Sequence, residues 1–193
     1  MSTTQARPAL AADDHVRSFC IELVPDGTPV ALTPVVTRGA QANDCVNLVN
    51  RAIDDGGGQR VEGWALWERP RVLIEAEYHC VWRTPAGELL DLAPLPPGIT
   101  HRLFLADPNL VYANRQINNV RRPLGSHPSL QKLIDAYDAY FEVLNRGERA
   151  DQHGAISIRS EELLPVQQGI FTAERDVASW LASSTIKIGR NER

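Results

Sequence analysis

The chain predicts an α+β fold: an antiparallel sheet packed against a helix that carries Cys45, with further helices towards the C-terminus. Three observations lead there. Residues 61–67 and 72–82 are rich in β-branched and aromatic residues, and the second run enters Thr84-Pro85-Ala86-Gly87-Glu88, the chemistry of a tight hairpin turn. Residues 44–53 place Cys45, Leu48, Val49 and Ile53 at helical spacing. Residues 128–146 carry Leu130, Leu133, Ile134, Tyr137, Phe141 and Leu144 as one apolar stripe, the strongest helical pattern in the chain.

Taken in order, residues 1–14 have neither a basic start nor an apolar stretch, and read as a short disordered tail rather than a secretory signal. Residues 16–24 are rich in β-formers and precede Pro25-Asp26-Gly27-Thr28, so they read as a strand entering a turn, with residues 30–36 returning. Residues 38–43 are a polar loop. Asn43 and Asp44 both suit the cap of the helix that follows, and Gly56-Gly57-Gly58 stops it. Pro70 separates the two strands at 61–67 and 72–82. Residues 89–93 return after the turn, residues 94–98 close that part of the sheet, and residues 102–105 add one more strand. Residues 107–122 are polar and irregular. Gly147 ends the long helix, residues 148–154 form a charged linker, and residues 161–181 make one helix or two, since Pro165 and Gly169 interrupt them. The last residues, through Arg193, read as loose. The organisation expected is a tail (1–14), an α+β domain (15–147) and a helical extension (148–193) packed on it.

A length of 193 residues suits one domain with appendages and is enough to bury a core. The net charge of −4, with no basic cluster, argues against nucleic-acid binding. No apolar run approaches the ~18 residues of a membrane span. The cysteines number 3 and lack a C-x-x-C pair, which argues against a disulfide framework and a structural zinc site and fits a reducing cytoplasm. Nothing in the chain calls for a cofactor.

One constellation suggests a chemistry: Cys45, His79 and Asp91. A thiol needs a base to become a thiolate, and the base needs an acceptor to fix its tautomer. Along residues 73–83, Ile74, Ala76, Tyr78, Cys80 and Trp82 share one side, a core face. Glu75, Glu77, His79, Val81 and Arg83 share the other, a polar face. A three-residue loop, Pro85-Ala86-Gly87, sets Thr84 against Glu88 and Val81 against Asp91. His79 and Asp91 are then diagonal neighbours on one face, roughly 7–8 Å apart at the backbone. A loop of two or four residues would turn Asp91 to the wrong face. Cys45 at a helix start gains from the unpaired N–H groups and the dipole there, and Gln41 could add a donor for an oxyanion. Trp64 and Glu77 complete the candidate substrate-binding residues, Trp64 as core or cleft wall and Glu77 beside His79. Cys20 and Cys80 fall on apolar alternations and read as core. His15, His101, His127 and His153 take no role.

Asp44-Cys45-Val46-Asn47-Leu48-Val49 resembles the Asp-Cys-Ser-Gly-Leu-Val block of NlpC-type cell-wall peptidases, with Val46-Asn47 in place of Ser-Gly. His79-Cys80-Val81-Trp82, followed by Leu90-Asp91-Leu92-Ala93-Pro94, resembles the transglutaminase core, although Pro94 lies three positions after Asp91. Together they imply the papain-like group of thiol enzymes, with Cys45 as nucleophile, His79 as base and Asp91 as orienting acid. Gly63-Trp64-Ala65-Leu66-Trp67-Glu68, Ile74-Glu75-Ala76-Glu77-Tyr78-His79-Cys80-Val81-Trp82 and Leu103-Phe104-Leu105-Ala106-Asp107-Pro108 also resemble blocks of bacterial proteins with no activity to transfer.

The expectation is a cytoplasmic cysteine-dependent hydrolase or acyltransferase acting on an amide, isopeptide or ester carbonyl of a peptide, protein or small amide. Neither membrane nor nucleic acid is expected as a partner, and the oligomeric state stays open. Two alternatives stand beside it. One is a non-catalytic binding protein using the same cleft, with the donor-rich loop from Asn114 to Arg122 as its recognition surface. The other is a metal-dependent hydrolase centred on Glu75, Glu77 and His79.

Overall fold

The computed structural model describes residues 5–35, 39–151 and 157–188, with side chains described to residue 184. Among the described residues the fold is mixed α+β: a seven-stranded sheet and four α-helices. The strands are β1 (Arg7–Pro8), β2 (Val30–Leu32), β3 (Gln59–Arg69), β4 (Leu73–Arg83), β5 (Leu89–Leu90), β6 (Arg102–Ala106) and β7 (Val120–Pro123). The helices are α1 (Asp14–Leu23), α2 (Cys45–Gly56), α3 (Pro128–Leu144) and α4 (Ser160–Ile188). The main strand order is β2-β6-β3-β4-β5, with β1 added to β3 and β7 added to β4. Two compact units result: Met1–Pro70 with Ile74–Arg121, and Arg71–Leu73 with Arg122–Arg193.

In the first unit, β3 and β6 align Gly63 with Ala106 and Leu66 with Leu103, and β2 adds Val30 against Phe104. Gly63 is required by a close approach. A Cβ there would lie 2.2 Å from the Leu105 carbonyl oxygen and 2.7 Å from the Phe104 ring. The second face of β4, expected to be polar and solvated, is enclosed: His79 and Val81 are buried there as Ala76 and Cys80 are on the other. The strand lies inside the sheet and is covered on both sides, so alternation of polarity no longer marks exposure.

Three expectations in this unit need correction. Residues 16–24 are helix α1, not a strand: Val16, Phe19 and Cys20 are its buried residues, spaced i, i+3, i+4. The helical period outweighs the β-branched composition, and Asp14 and Arg17 pair one turn apart. The returning strand is only β2; residue 36 lies outside the described residues. The segment expected as a loose tail is fastened from Arg7. There β1 pairs Arg7 with Glu68 and Pro8 with Trp67, and the buried Ala9 donates its N–H to Leu66 O at 3.0 Å. The edge of β3 left open beyond β6 supplies those backbone partners. Residues 1–4 lie outside the described residues.

The second unit is built on α3 and α4. Leu130, Leu133 and Ile134 pack with Ala173, Val177 and Leu181, and with Val72 and Leu73. His127 caps α3, its ring accepting from Ser129 N–H at 3.3 Å, and stacks on Trp180 with centroids 5.0 Å apart. The linker after Gly147 opens as a 3-10 turn, Gly147–Asp151, held by Arg149 Nη2 at 2.9 Å from Glu162. Residues 152–156, including His153, lie outside the described residues. Helix α4 is continuous: Pro165 falls early enough to remove one ladder bond without ending it. The loose end expected beyond residue 188 lies outside the described residues. Among the described residues no helix is long and apolar enough to cross a membrane.

Candidate functional site

Helix α2 begins at Cys45 itself. Asn43 adopts a left-handed conformation, φ 61°, which asparagine tolerates and which turns the loop sharply into the helix. Asp44 occupies the N-cap, yet its carboxylate does not cap. It accepts instead from Asn47 Nδ2 at 2.6 Å and lies 3.5 Å from Arg51. The N–H groups of the first turn therefore keep the donor capacity that a capping side chain would consume. Cys45 sits among Leu48, Val49, Cys80, Leu92 and Ala93 and is 9% exposed.

His79 stands in the second half of β4, 5% exposed, and Asp91, fully buried, follows directly on β5. The hairpin has the three-residue loop. Thr84 N–H donates to Glu88 O at 2.9 Å, Gly87 turns at φ 89°, and Trp82 and Arg83 face Leu90 and Leu89. One step further, this register carries Asp91 to the face of His79. Their side chains meet with His79 Nε2 3.0 Å from Asp91 Oδ1.

Sequence reasoning missed the next partner. Arg102, the first residue of β6 and 6% exposed, donates to Asp91 Oδ2, and its Nη1 also lies 3.2 Å from His79 Nε2. Asp91 Oδ1 further accepts from Ala93 N–H at 3.1 Å. A guanidinium has donors only, so the proton on Nε2 belongs to the bond with Asp91. Arg102 acts on the carboxylate, and its charge opposes that of the imidazolium. Phe104 stands edge-on to the His79 ring, centroids 6.1 Å apart. An arginine opening the apolar run Arg102-Leu103-Phe104-Leu105 was the available signal. A cation that far inside needs a buried anion.

With Nε2 committed to Asp91, Nδ1 is the nitrogen left to face Cys45, whose sulfur is hydrogen-bonded to the His79 ring. Cys45 also shares its buried cluster with Cys80, whose thiol and backbone N–H both favour the Cys45 thiolate.

The electrostatics follow. The hydrogen bond from Cys80 pulls the Cys45 thiol down most; burial resists; the hydrogen bond and charge of His79 add to the pull, leaving Cys45 at about 4. Cys80 moves the opposite way, raised first by its bond to Cys45 and then by burial. Burial disfavours the His79 imidazolium, but the bonds to Asp91 and Cys45 outweigh it and raise the ring above its ordinary value. Burial likewise pushes Asp91 up, while the bond and charge of His79 and the charge of Arg102 bring it below the usual carboxylate range. These directions favour a thiolate–imidazolium pair backed by a shared carboxylate.

An aromatic wall adjoins the sulfur. Tyr78 and Tyr112 stack with centroids 4.9 Å apart, Tyr78 donates to Glu62 at 2.5 Å, and Arg60 lies 5.8 Å over the Tyr112 ring. Burial, then the charge of Cys45, raise Tyr112.

Comparison with known proteins adds no identification. No family model matches this chain. No similar curated protein and no similar solved structure is found either.

Of the remaining candidates, Trp64, Glu75 and Glu77 have partners elsewhere. Gln41 is exposed on the loop before α2. The Trp64 indole donates to Asp107 at 3.0 Å. Glu77 accepts from the Trp67 indole at 2.8 Å, and burial raises its pKa. Glu75 accepts from Asn119 Nδ2 at 3.1 Å and Arg121 Nε at 3.2 Å, so the donor-rich loop closes on its own sheet. Both glutamates thus have partners other than a metal. Among the described residues the ligand atoms that do converge, within 4.8 Å of one another, belong to Asp13, His15 and Glu68.

Proposed function

We propose that this protein is a cysteine-dependent acyl hydrolase or acyltransferase acting through Cys45, His79 and Asp91. The observation that carries the reading is the joining of a thiol on the first turn of a helix to a carboxylate through one imidazole, with each ring nitrogen engaged. The arrangement is also the one implied by the resemblance to papain-like and transglutaminase-type sequences.

The Cys45 thiolate attacks the carbonyl carbon of an amide, isopeptide or ester. The first-turn N–H groups of α2 face the developing oxyanion. The His79 imidazolium, its Nε2 proton anchored on Asp91, gives its other proton to the leaving amine or alcohol from Nδ1, and the carbon–heteroatom bond breaks to leave a thioester on Cys45. Neutral His79 then takes a proton from water or from an acceptor amine, which attacks the thioester and releases the thiolate. Tyr78 and Tyr112 flank the acyl group, which favours a peptide or other amide with a flat or apolar side chain next to the scissile bond.

The test is intact-mass spectrometry after exposure to activated acyl esters. Wild type gains one acyl mass, mapped to Cys45, and sheds it with time. Cys45→Ser and His79→Ala do not show that turnover. Acylation spread evenly over Cys20, Cys45 and Cys80, or none at Cys45, would refute the proposal.

A further inference from the structure

The acyl-transfer mechanism makes no bond to Cys80, although Cys45 and Cys80 share one buried cluster and the Cys80 thiol favours the Cys45 thiolate. Cys80 is fully buried in the apolar cluster of α2 and the segment after β5, with Leu48, Val49, Leu92 and Ala93 around it. Cys20, the third free cysteine, is buried in α1. A nucleophilic sulfur with a small solvent opening and a second thiol in its cluster is the geometry of a dithiol that closes on oxidation.

We propose that a hydroperoxide converts Cys45 and Cys80 into a reversible intramolecular disulfide. The Cys45 thiolate attacks the peroxide oxygen: an S–O bond forms, the O–O bond breaks, and the leaving hydroxide takes a proton to become water. Cys45 is now a sulfenic acid. The Cys80 sulfur attacks it; the S–S bond forms, the S–O bond breaks, and the departing hydroxide leaves as water with the Cys80 thiol proton. The pair has given two electrons to the peroxide. An external dithiol returns them by thiol–disulfide exchange and is itself oxidised to its cyclic disulfide.

Local chemistry favours capture over further oxidation. Cys45 and Cys80 are the two cysteines of their cluster, so Cys80 is the thiol at hand for the sulfenic acid. The raised Cys80 pKa keeps that thiol protonated, and so unreactive towards peroxide, until Cys45 has been oxidised. The disulfide itself stands on the meeting of the two cysteines in one cluster; its consequence, loss of acyl transfer, rests on the function proposed above.

The experiment treats the full-length protein with hydrogen peroxide and maps it by non-reducing proteolysis and mass spectrometry. A Cys45–Cys80 linked peptide appears, free thiols fall from three to one, and dithiothreitol restores all three. Cys20→Ser forms the same link. Cys80→Ser instead advances to Cys45 sulfinic acid, which dithiothreitol does not reverse. Oxidised Cys45 beside a still-free Cys80 in wild type, or dimers linked through Cys45 alone, would overturn the proposal. The mapping is independent of acyl transfer. A linked peptide in a protein that never acylates would remove the catalytic reading alone; acylation without the link would remove the disulfide alone.

Discussion

The cluster of Cys45, His79, Asp91 and Arg102 and the α3–α4 core are both nearly closed to solvent, yet they are held in opposite ways. Between α3 and α4, Leu130, Leu133, Ile134, Ala173, Val177 and Leu181 exclude water without direction, and each contributes by the area it buries. At the site, four ionisable groups are buried together, and each is tolerable only because the others are present. Removing a leucine leaves a space, whereas removing Arg102 leaves a buried carboxylate without its cation. Stability in the first region is close to additive, while in the second it is conditional and tied to reactivity.

The largest separation of the two regions should come from His79→Ala. Turnover of the acyl-enzyme should fall by about 10⁴-fold, the scale of losing a triad member, and the thermal transition should drop with it, because buried Asp91 loses a partner. Leu133→Ala should touch stability alone, costing about 2–5 kcal/mol in denaturant melts while leaving the Cys45 alkylation rate intact. Arg102→Met should affect both, destabilising by about 3–5 kcal/mol because Asp91 keeps its charge without its cation. The double variant Arg102→Met/Asp91→Leu should recover part of that loss but no activity. A smaller effect is expected of Gly63→Ala. The added methyl would meet Phe104, which buttresses the His79 ring, costing about 1–3 kcal/mol and slowing alkylation a few-fold. If Gly63→Ala slowed alkylation no more than Leu133→Ala, Phe104 would have no part in holding the imidazole.

The apolar region was the more legible in sequence, because its signal is a period. The stripe from Leu130 to Leu144 fixed α3 within two residues at its end. The hairpin was legible from its turn: Pro85-Ala86-Gly87 set the register that joins Asp91 to His79. Composition misled where it competed with period, as in α1, where Val16, Phe19 and Cys20 follow a helix despite their β propensity. Arg102 escaped notice because an ion pair formed through β6 leaves no local pattern. The meeting of Cys45 and Cys80 in one cluster escaped because it depends on how α2 packs on the sheet rather than on any spacing. Trp64 and Glu77 were chosen by proximity in sequence or strand, and proximity does not show which polar groups are already engaged.

The account depends most on Cys45 being a thiolate, with His79 adding to the pull of Cys80. The pH dependence of Cys45 alkylation by iodoacetamide, followed by peptide mapping, tests this directly. The rate should hold its plateau through weakly acidic conditions and fall only as the pH drops through about 4, with His79→Ala moving that transition upward. A rate that rises only as the pH climbs through roughly 8–9, the range of an ordinary thiol, and that is the same in His79→Ala, would contradict it.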